Sequence, residues 1–119
     1  MLVRLRRING YDFYQEVVIS AYFIAFVDIH DRTRFAQDYV RPIASTLEPF
    51  GGRVVAASDE TTPLEGSVPP GRTVLLEFPD LDSARRWYAS DAYAPLLALR
   101  KSITTSSAAL LPGGFTLHD

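Results

Sequence analysis

The chain has 119 residues with 12 basic and 14 acidic side chains, so its formal charge is −2, and it contains no cysteine. This length predicts one domain that can bury a core without covalent cross-links. The absence of cysteine excludes disulfides, thiolate metal sites and a cysteine nucleophile, and it fits a reducing cytoplasm. The slight acidity argues against a nucleic-acid partner, because such a protein needs a basic face to neutralise phosphates.

The longest apolar run, from Val17 to Val27, does not predict a membrane span. Ser20 interrupts it, and it has about half of the roughly 20 residues that a bilayer-spanning helix needs. We therefore expect a soluble, cytoplasmic protein without a membrane partner.

A strand, a helix and a second strand are predicted first along the chain. Residues 21–29 are aromatic, β-branched and apolar on both faces, which is typical of a strand buried on two sides. Asp31 can cap a helix over residues 32–48, where apolar side chains recur every third or fourth position. Pro42 cannot donate a hydrogen bond to the carbonyl of Asp38, so we expect a kink there.

Gly51 and Gly52 then end the helix and lead into a strand over residues 53–58. Residues 59–71 contain three prolines and two glycines, which favours a loop or hairpin. Residues 73–78 are predicted to form the next strand.

Two helices and a final strand complete the pattern. Asp80 or Asp82 can cap a helix whose apolar face is formed by Leu81, Ala84, Trp87 and Tyr88. The spacing i, i+3, i+4, i+7 predicts a further helix with one face formed by Tyr93, Leu96, Leu97 and Arg100. Residues 106–111 are the last predicted strand.

This order predicts an α+β fold, the ferredoxin-like βαββαβ sandwich with helices on one face of an antiparallel sheet. The first strand is apolar on the helix-free face as well, where alternation places Tyr22, Ile24 and Phe26. A second copy of the chain is the simplest cover for that face, so we expect a homodimer with facing sheets.

Four segments carry a resemblance to a known family: Ala21 to Val27, Tyr39 to Arg53 with its Gly-Gly-Arg end, Leu76 to Pro79, and Trp87 to Tyr93 running on to Arg100. With these segments the sequence resembles the bacterial domain-of-unknown-function family thirteen-thirty, in the dimeric α/β-barrel superfamily. The resemblance implies a ferredoxin-like subunit and a homodimeric barrel, but no established reaction. Superfamily relatives include cofactor-independent monooxygenases, lactone isomerases and haem-binding enzymes, so fold alone does not define the activity.

The resemblance divides the chain into an N-terminal extension over residues 1–19, a domain over residues 20–115 and a tail over residues 116–119. The extension has no counterpart in the family. It could be an arm, a strand added to the sheet, or an artefact of an upstream start site. Pro95 also departs from the family pattern, so the last helix is expected to start late or bend.

Glu77 and Arg100 are the predicted catalytic residues. Glu77 lies between Leu76 and Phe78 in a strand, where a buried carboxylate is costly unless it is paired, and Arg100 shares an apolar helical stripe. The two can meet as an acid/base and anion-binding pair in a cavity, or they can only fix the helix against the sheet.

Five aromatic residues with a polar tip are predicted to line the same pocket as ligand-binding residues: Tyr22, Tyr39, Trp87, Tyr88 and Tyr93. Large core residues satisfied by local hydrogen bonds are the other interpretation. His30 and His118 have no metal-ligand spacing, so neither a metal site nor a cofactor is predicted. No nucleophile elbow is present in the sequence.

The sequence therefore predicts a small-molecule-binding protein or a cofactor-independent enzyme, monooxygenase-like or isomerase-like, with a pocket between helices and sheet. In it Glu77 is the base and Arg100 stabilises an anion or enolate. The alternative is a non-catalytic homodimerisation or interaction module in which the same residues only pack.

Overall fold

The computed structural model describes residues 2–16 and 20–114 as two separate sheets with helices on one of them. The strands are β1 (Leu2–Ile8), β2 (Tyr11–Glu16), β3 (Ala21–Ile29), β4 (Arg53–Ser58), β5 (Arg72–Phe78) and β6 (Thr104–Pro112). The helices are α1 (Arg32–Phe35), α2 (Arg41–Leu47), α3 (Leu81–Tyr88) and α4 (Ala94–Ile103).

The larger sheet has the strand order β4-β5-β3-β6, and all its neighbouring strands are antiparallel. β3 is central, with Tyr22 opposite Glu77 on one side and opposite Leu111 on the other. With α1 and α2 between β3 and β4, and α3 and α4 between β5 and β6, the predicted ferredoxin-like α+β fold is confirmed.

The helical stretch after β3 contains a wider turn where a kink was expected. Asp31 caps it as predicted, accepting from the amide of Arg34 at 3.0 Å. Between α1 and α2 the residues Ala36–Val40 form a π-helical turn, closed by the amide of Arg41 on the carbonyl of Ala36. Pro42 then falls in the first turn of α2, where no amide donor is needed, so the chain tolerates it.

Proline also sets the start of α4. Pro95 lies in its first turn, directly after Ala94, so the helix starts at the position where proline costs least. Asp80, the first of the two predicted caps, accepts from the amide of Ser83 at 2.7 Å and begins α3. α4 runs directly into β6, which begins two residues earlier than predicted.

Residues 2–16 form a β-hairpin that pairs only with itself as a two-stranded sheet. Asn9 and Gly10 both have positive φ, 52° and 82°, as a tight two-residue hairpin turn requires. The alternative of a strand added to the main sheet is therefore wrong for the described residues. The hairpin carries exposed apolar side chains: Leu2, Val3, Leu5, Ile8, Tyr11, Phe13 and Tyr14.

The core lies between the helices and one face of the larger sheet. Alternate residues of β3 are buried there, starting with Ala21 and Phe23, whereas their neighbours Tyr22, Ile24 and Phe26 are only half-buried on the helix-free face. The largest fully buried side chains are Trp87, Tyr93, Phe78, Leu47, Leu76 and Val27. Both faces of β3 are thus apolar, but one chain covers only one of them.

Candidate functional site

Arg100 is a charged residue inside the core. It lies in the last turn of α4 and is only 3% exposed, because its position on the apolar stripe turns it toward the sheet. Its Nη1 donates to Ser106 Oγ at 2.6 Å, and its backbone carbonyl accepts from the hydroxyl of Thr104. The first residues of β6 therefore bind both the guanidinium and the backbone of Arg100.

Two tyrosine hydroxyls lie beside this guanidinium. Tyr39 and Tyr93 share a hydrogen bond of 2.6 Å between their phenol oxygens. Tyr39 lies in the π-helical turn and stacks on Phe35 with ring centroids 4.8 Å apart. Burial, reinforced by Tyr93, raises the pKa of Tyr39, so this phenol is neutral at physiological pH.

Together, Tyr39, Tyr93, Arg100 and Ser106 form what we call the buried polar cluster. Burial alone lowers the pKa of Arg100, but the neighbouring oxygens of Tyr93 and Tyr39 outweigh it and raise that pKa. The guanidinium is therefore charged.

Aromatic rings enclose the cluster on the side of α3. Trp87 is fully buried, lies 4.0 Å from Tyr93 between ring centroids, and donates from Nε1 to Thr46 Oγ1 at 3.1 Å. Tyr88 is half-buried, with its ring centroid 5.9 Å from that of Tyr93 and 6.1 Å from that of Phe23. Tyr88 is thus the ring of this group that also faces outward.

A pocket of about 220 Å³ opens beside Tyr88. We call it the β6 pocket, and its lining residues are Phe23, Tyr88, Ala108, Ala109 and Leu110. On β6 the helix-facing residues alternate, so Ser106, Ala108 and Leu110 share one face. Ser106, whose hydroxyl binds Arg100, is therefore two residues along β6, about 7 Å, from Ala108 in the pocket.

Glu77 lies on the opposite face of the sheet from Arg100. In β5 its neighbours Leu76 and Phe78 are 1% exposed on the helix side, and alternation turns Glu77 away from them. The prediction that Glu77 and Arg100 meet or share one pocket is therefore wrong. Tyr22 is on the helix-free face as well, so it is not part of the pocket between helices and sheet either.

Glu77 instead belongs to a polar group on the helix-free face. Its Oε2 accepts from the hydroxyl of Tyr22 at 3.0 Å, and its Oε1 accepts from Nε of Arg53 at 3.0 Å. The Tyr22 bond first, and then Arg53, lower the pKa of this carboxyl, which keeps it ionised. The catalytic role predicted for Glu77 stays a prediction.

Arg53 and Ser106 were not predicted as partners of the two charged residues. Both lie in predicted strands, but the contacts depend on strand register, which the sequence does not contain.

The two histidines do not form a metal site in the described residues. His30 shares a hydrogen bond of 3.0 Å with Thr105 at the end of the sheet. His118 lies outside the described residues.

Among residues 2–16 and 20–114, no helix is long and apolar enough to cross a membrane. In the same part of the chain, no group of three or more histidines and carboxylates is placed to hold a metal ion.

The topology defines a protein of the ferredoxin-like α+β class. Within that class, the chain belongs to the family described as domain of unknown function DUF1330, which matches residues 20–114. The resemblance predicted from the sequence is confirmed. No curated protein matches the chain.

Solved structures share this fold. A protein of unknown function from Rhodopseudomonas palustris is 14% identical, with a TM-score of 0.67 over 84% of this chain and 86% of that chain. SnoaB, a cofactor-independent oxygenase from Streptomyces nogalater, is 17% identical, with a TM-score of 0.56 over 87% of this chain and 100% of that chain.

A conserved protein from Bacteroides thetaiotaomicron, described as a possible oxidoreductase, is 8% identical. Its TM-score is 0.56 over 82% of this chain and 100% of that chain. At these identities the likeness concerns the fold and not the activity.

Proposed function

We propose that this chain forms a cytoplasmic homodimer that binds a small organic molecule in the β6 pocket, between the helices and the sheet. Within it, residues 20–115 are the ligand-binding domain, residues 1–19 an extension and residues 116–119 a tail. As an enzyme it works without a cofactor, in the manner named for SnoaB, with Arg100 stabilising negative charge on the substrate.

One observation carries this proposal: an open pocket with an aromatic wall lies two residues along β6 from Ser106, the hydroxyl that binds a buried, charged arginine. Tyr88 and Phe23 supply apolar ring surface, and the buried polar cluster supplies donors behind it. This combination of an apolar wall and a few convergent polar groups is typical of small-molecule sites. The volume of about 220 Å³ fits a ligand smaller than a drug-sized compound.

A non-catalytic dimerisation module is the second candidate. The hydrogen bonds from Trp87 to Thr46 and between Tyr39 and Tyr93 favour it, because they satisfy these polar tips within the chain. In that case the aromatic rings only pack the core, and the β6 pocket stays empty.

The two candidate functions are distinguished by whether filling the β6 pocket removes a bound molecule. Small molecules extracted from the purified wild-type protein would be identified by mass spectrometry and compared with those from Ala108→Phe, which fills the pocket floor. Ala98→Phe adds the same ring at an exposed position of α4 and is the matched control. We expect a compound that wild type and Ala98→Phe retain and Ala108→Phe loses. Identical extracts from all three proteins contradict the proposal and favour the module.

A further inference from the structure

The charge of Arg100 is not compensated within the described part of the chain. The guanidinium is 3% exposed, and the side-chain partner of Nη1, Ser106, is a neutral hydroxyl. Its Nε has no hydrogen-bond partner among the described residues. In residues 2–16 and 20–114, no carboxylate oxygen lies within 4.0 Å of its nitrogens, whereas arginines such as Arg53 and Arg72 have such a partner.

The buried phenol of Tyr39 cannot supply the missing charge. Tyr39 is a neutral phenol because it is buried, and its hydroxyl is joined to that of Tyr93. Arginine does not deprotonate in proteins, so burial does not neutralise the guanidinium. An isolated charge in the core is strongly destabilising, and a leucine at this position would avoid that cost. An anion that enters from outside would remove it.

The pocket offers a route to this charge. Tyr88 lines the β6 pocket and packs with its ring near that of Tyr93, so it is the side chain between the pocket and the cluster. Tyr88 is half-buried and its ring packs against those of Phe23 and Tyr93, so a ligand reaches the cluster when this ring leaves these contacts and turns outward. A molecule lying on Ala108 and Leu110 would then point one end along β6 toward Ser106 and Arg100.

We infer that the ligand of the β6 pocket is a small organic anion with a flat apolar body, whose negative oxygen pairs with Arg100. This inference rests on the proposed function, and it names the ligand class of the same site. The four residues of the cluster include one cation, Arg100, so one negative group is enough to neutralise it. The rings of Phe23 and Tyr88 select the apolar body.

Benzoate and its neutral isostere benzamide test the inference. They have the same flat ring, and they differ in the charge that Arg100 would recognise. Binding would be followed by the fluorescence of Trp87, the one tryptophan of the chain, and by calorimetry. We expect benzoate to bind and benzamide to bind about tenfold more weakly or worse, because a hydrogen bond to a charged group is worth about that much.

Two variants distinguish the charge of Arg100 from its packing. Arg100→Leu should lose the preference for benzoate, and Arg100→Lys should keep part of it. Because Arg100→Lys keeps a cation at this position, it tests the inference even where Arg100→Leu fails to fold.

Equal binding of benzoate and benzamide would overturn the anion inference but not the proposal that the β6 pocket binds a small molecule. Unchanged benzoate affinity in Arg100→Leu would overturn it as well, and so would an Arg100→Lys protein that shows no preference for benzoate. If neither probe binds, the inference fails for ligands of this kind, whereas the proposed function is decided separately by the extraction from Ala108→Phe.

Discussion

The positions of Glu77 and Arg100 show how the pleat of one strand separates two charged residues that the sequence suggests as partners. Each has a partner on its own side of the sheet, Arg53 for the carboxylate and Ser106 for the guanidinium. The carboxylate is 23% exposed and paired with a cation, whereas the guanidinium is buried and its Nε has no hydrogen-bond partner among the described residues. Of the two, Arg100 is the stronger candidate for binding a ligand, because its charge has no oppositely charged partner among the described residues.

Glu77 should stabilise the protein in a pH-dependent way. Its folded-state pKa is lowered below the ordinary value of 4.5, by Tyr22 first and then by Arg53. A lowered pKa adds stability above the unfolded-state pKa, and this stability is lost as the pH falls through the folded-state pKa. We therefore expect Glu77→Gln to unfold at lower urea concentration than the wild type at pH 7, and the difference to shrink as the pH is lowered through the acid range.

The control for this prediction is Glu65→Gln, in the exposed loop between β4 and β5. It should change the urea midpoint little at either pH. A loss in Glu77→Gln that is as large in acid as at pH 7 would show that the charge of Glu77 is not its cause.

At the scale of elements, the N-terminal hairpin is separate from the fold of the domain. Its strands pair only with each other, whereas Ser20, directly before β3, accepts a hydrogen bond from the amide of Gly113 at 2.7 Å. We therefore propose Ser20 as the start of the domain. A lone two-stranded hairpin is marginally stable at best, so it adds little to the domain.

We predict that a chain beginning at Ser20 folds with nearly the stability of the full chain. Its free energy of unfolding should change by less than about 1 kcal/mol, since no ladder of the larger sheet is removed. Urea denaturation followed by circular dichroism measures this. A chain beginning at Ile24 loses the first three residues of β3, and as the control it should be clearly destabilised. A molten or aggregated Ser20 chain would show instead that the hairpin supports the domain.

The secondary-structure elements of the domain could be predicted because their signals are local. Periodicity, the caps Asp31 and Asp80, and the Gly51-Gly52 stop define each helix without reference to its neighbours. The hairpin was missed although its Asn9-Gly10 turn is a strong local signal. The π-helical turn has no comparable signal, because it is the packing of the helix that places the extra residue.

The site could be predicted only in part. Arg100 could be predicted as a site residue because its charge interrupts an apolar helical stripe. The helical periodicity also places four aromatic residues on the inward faces: Tyr39, Trp87, Tyr88 and Tyr93. The face of Glu77 could not be predicted, since Val74, Leu75 and Leu76 give β5 apolar residues on both sides. Such a strand shows no alternation from which to read the inward side. Contacts across strands depend on register, which only the folded chain has.

At the scale of the whole molecule, the helix-free face of the larger sheet is an apolar surface that one chain does not fully bury. Ile24 is at its centre, opposite Leu75 on β5 and Ala109 on β6, and Tyr22 and Phe26 flank it along β3. These side chains are only half-buried in one chain. A contiguous apolar face of this kind is typical of an interface, and a facing copy would cover it by two-fold symmetry.

We therefore predict a homodimer held by this face. Light scattering at micromolar concentration should give twice the 13.3 kDa of one chain. Ile24→Asp places a charge at the centre of the face, where burial without a partner is costly, and should shift the mass toward one chain. Leu64→Asp is the control, because Leu64 lies in a loop and is 94% exposed. A wild-type mass near 13.3 kDa, or a dimer that Ile24→Asp leaves intact, would contradict the proposed interface.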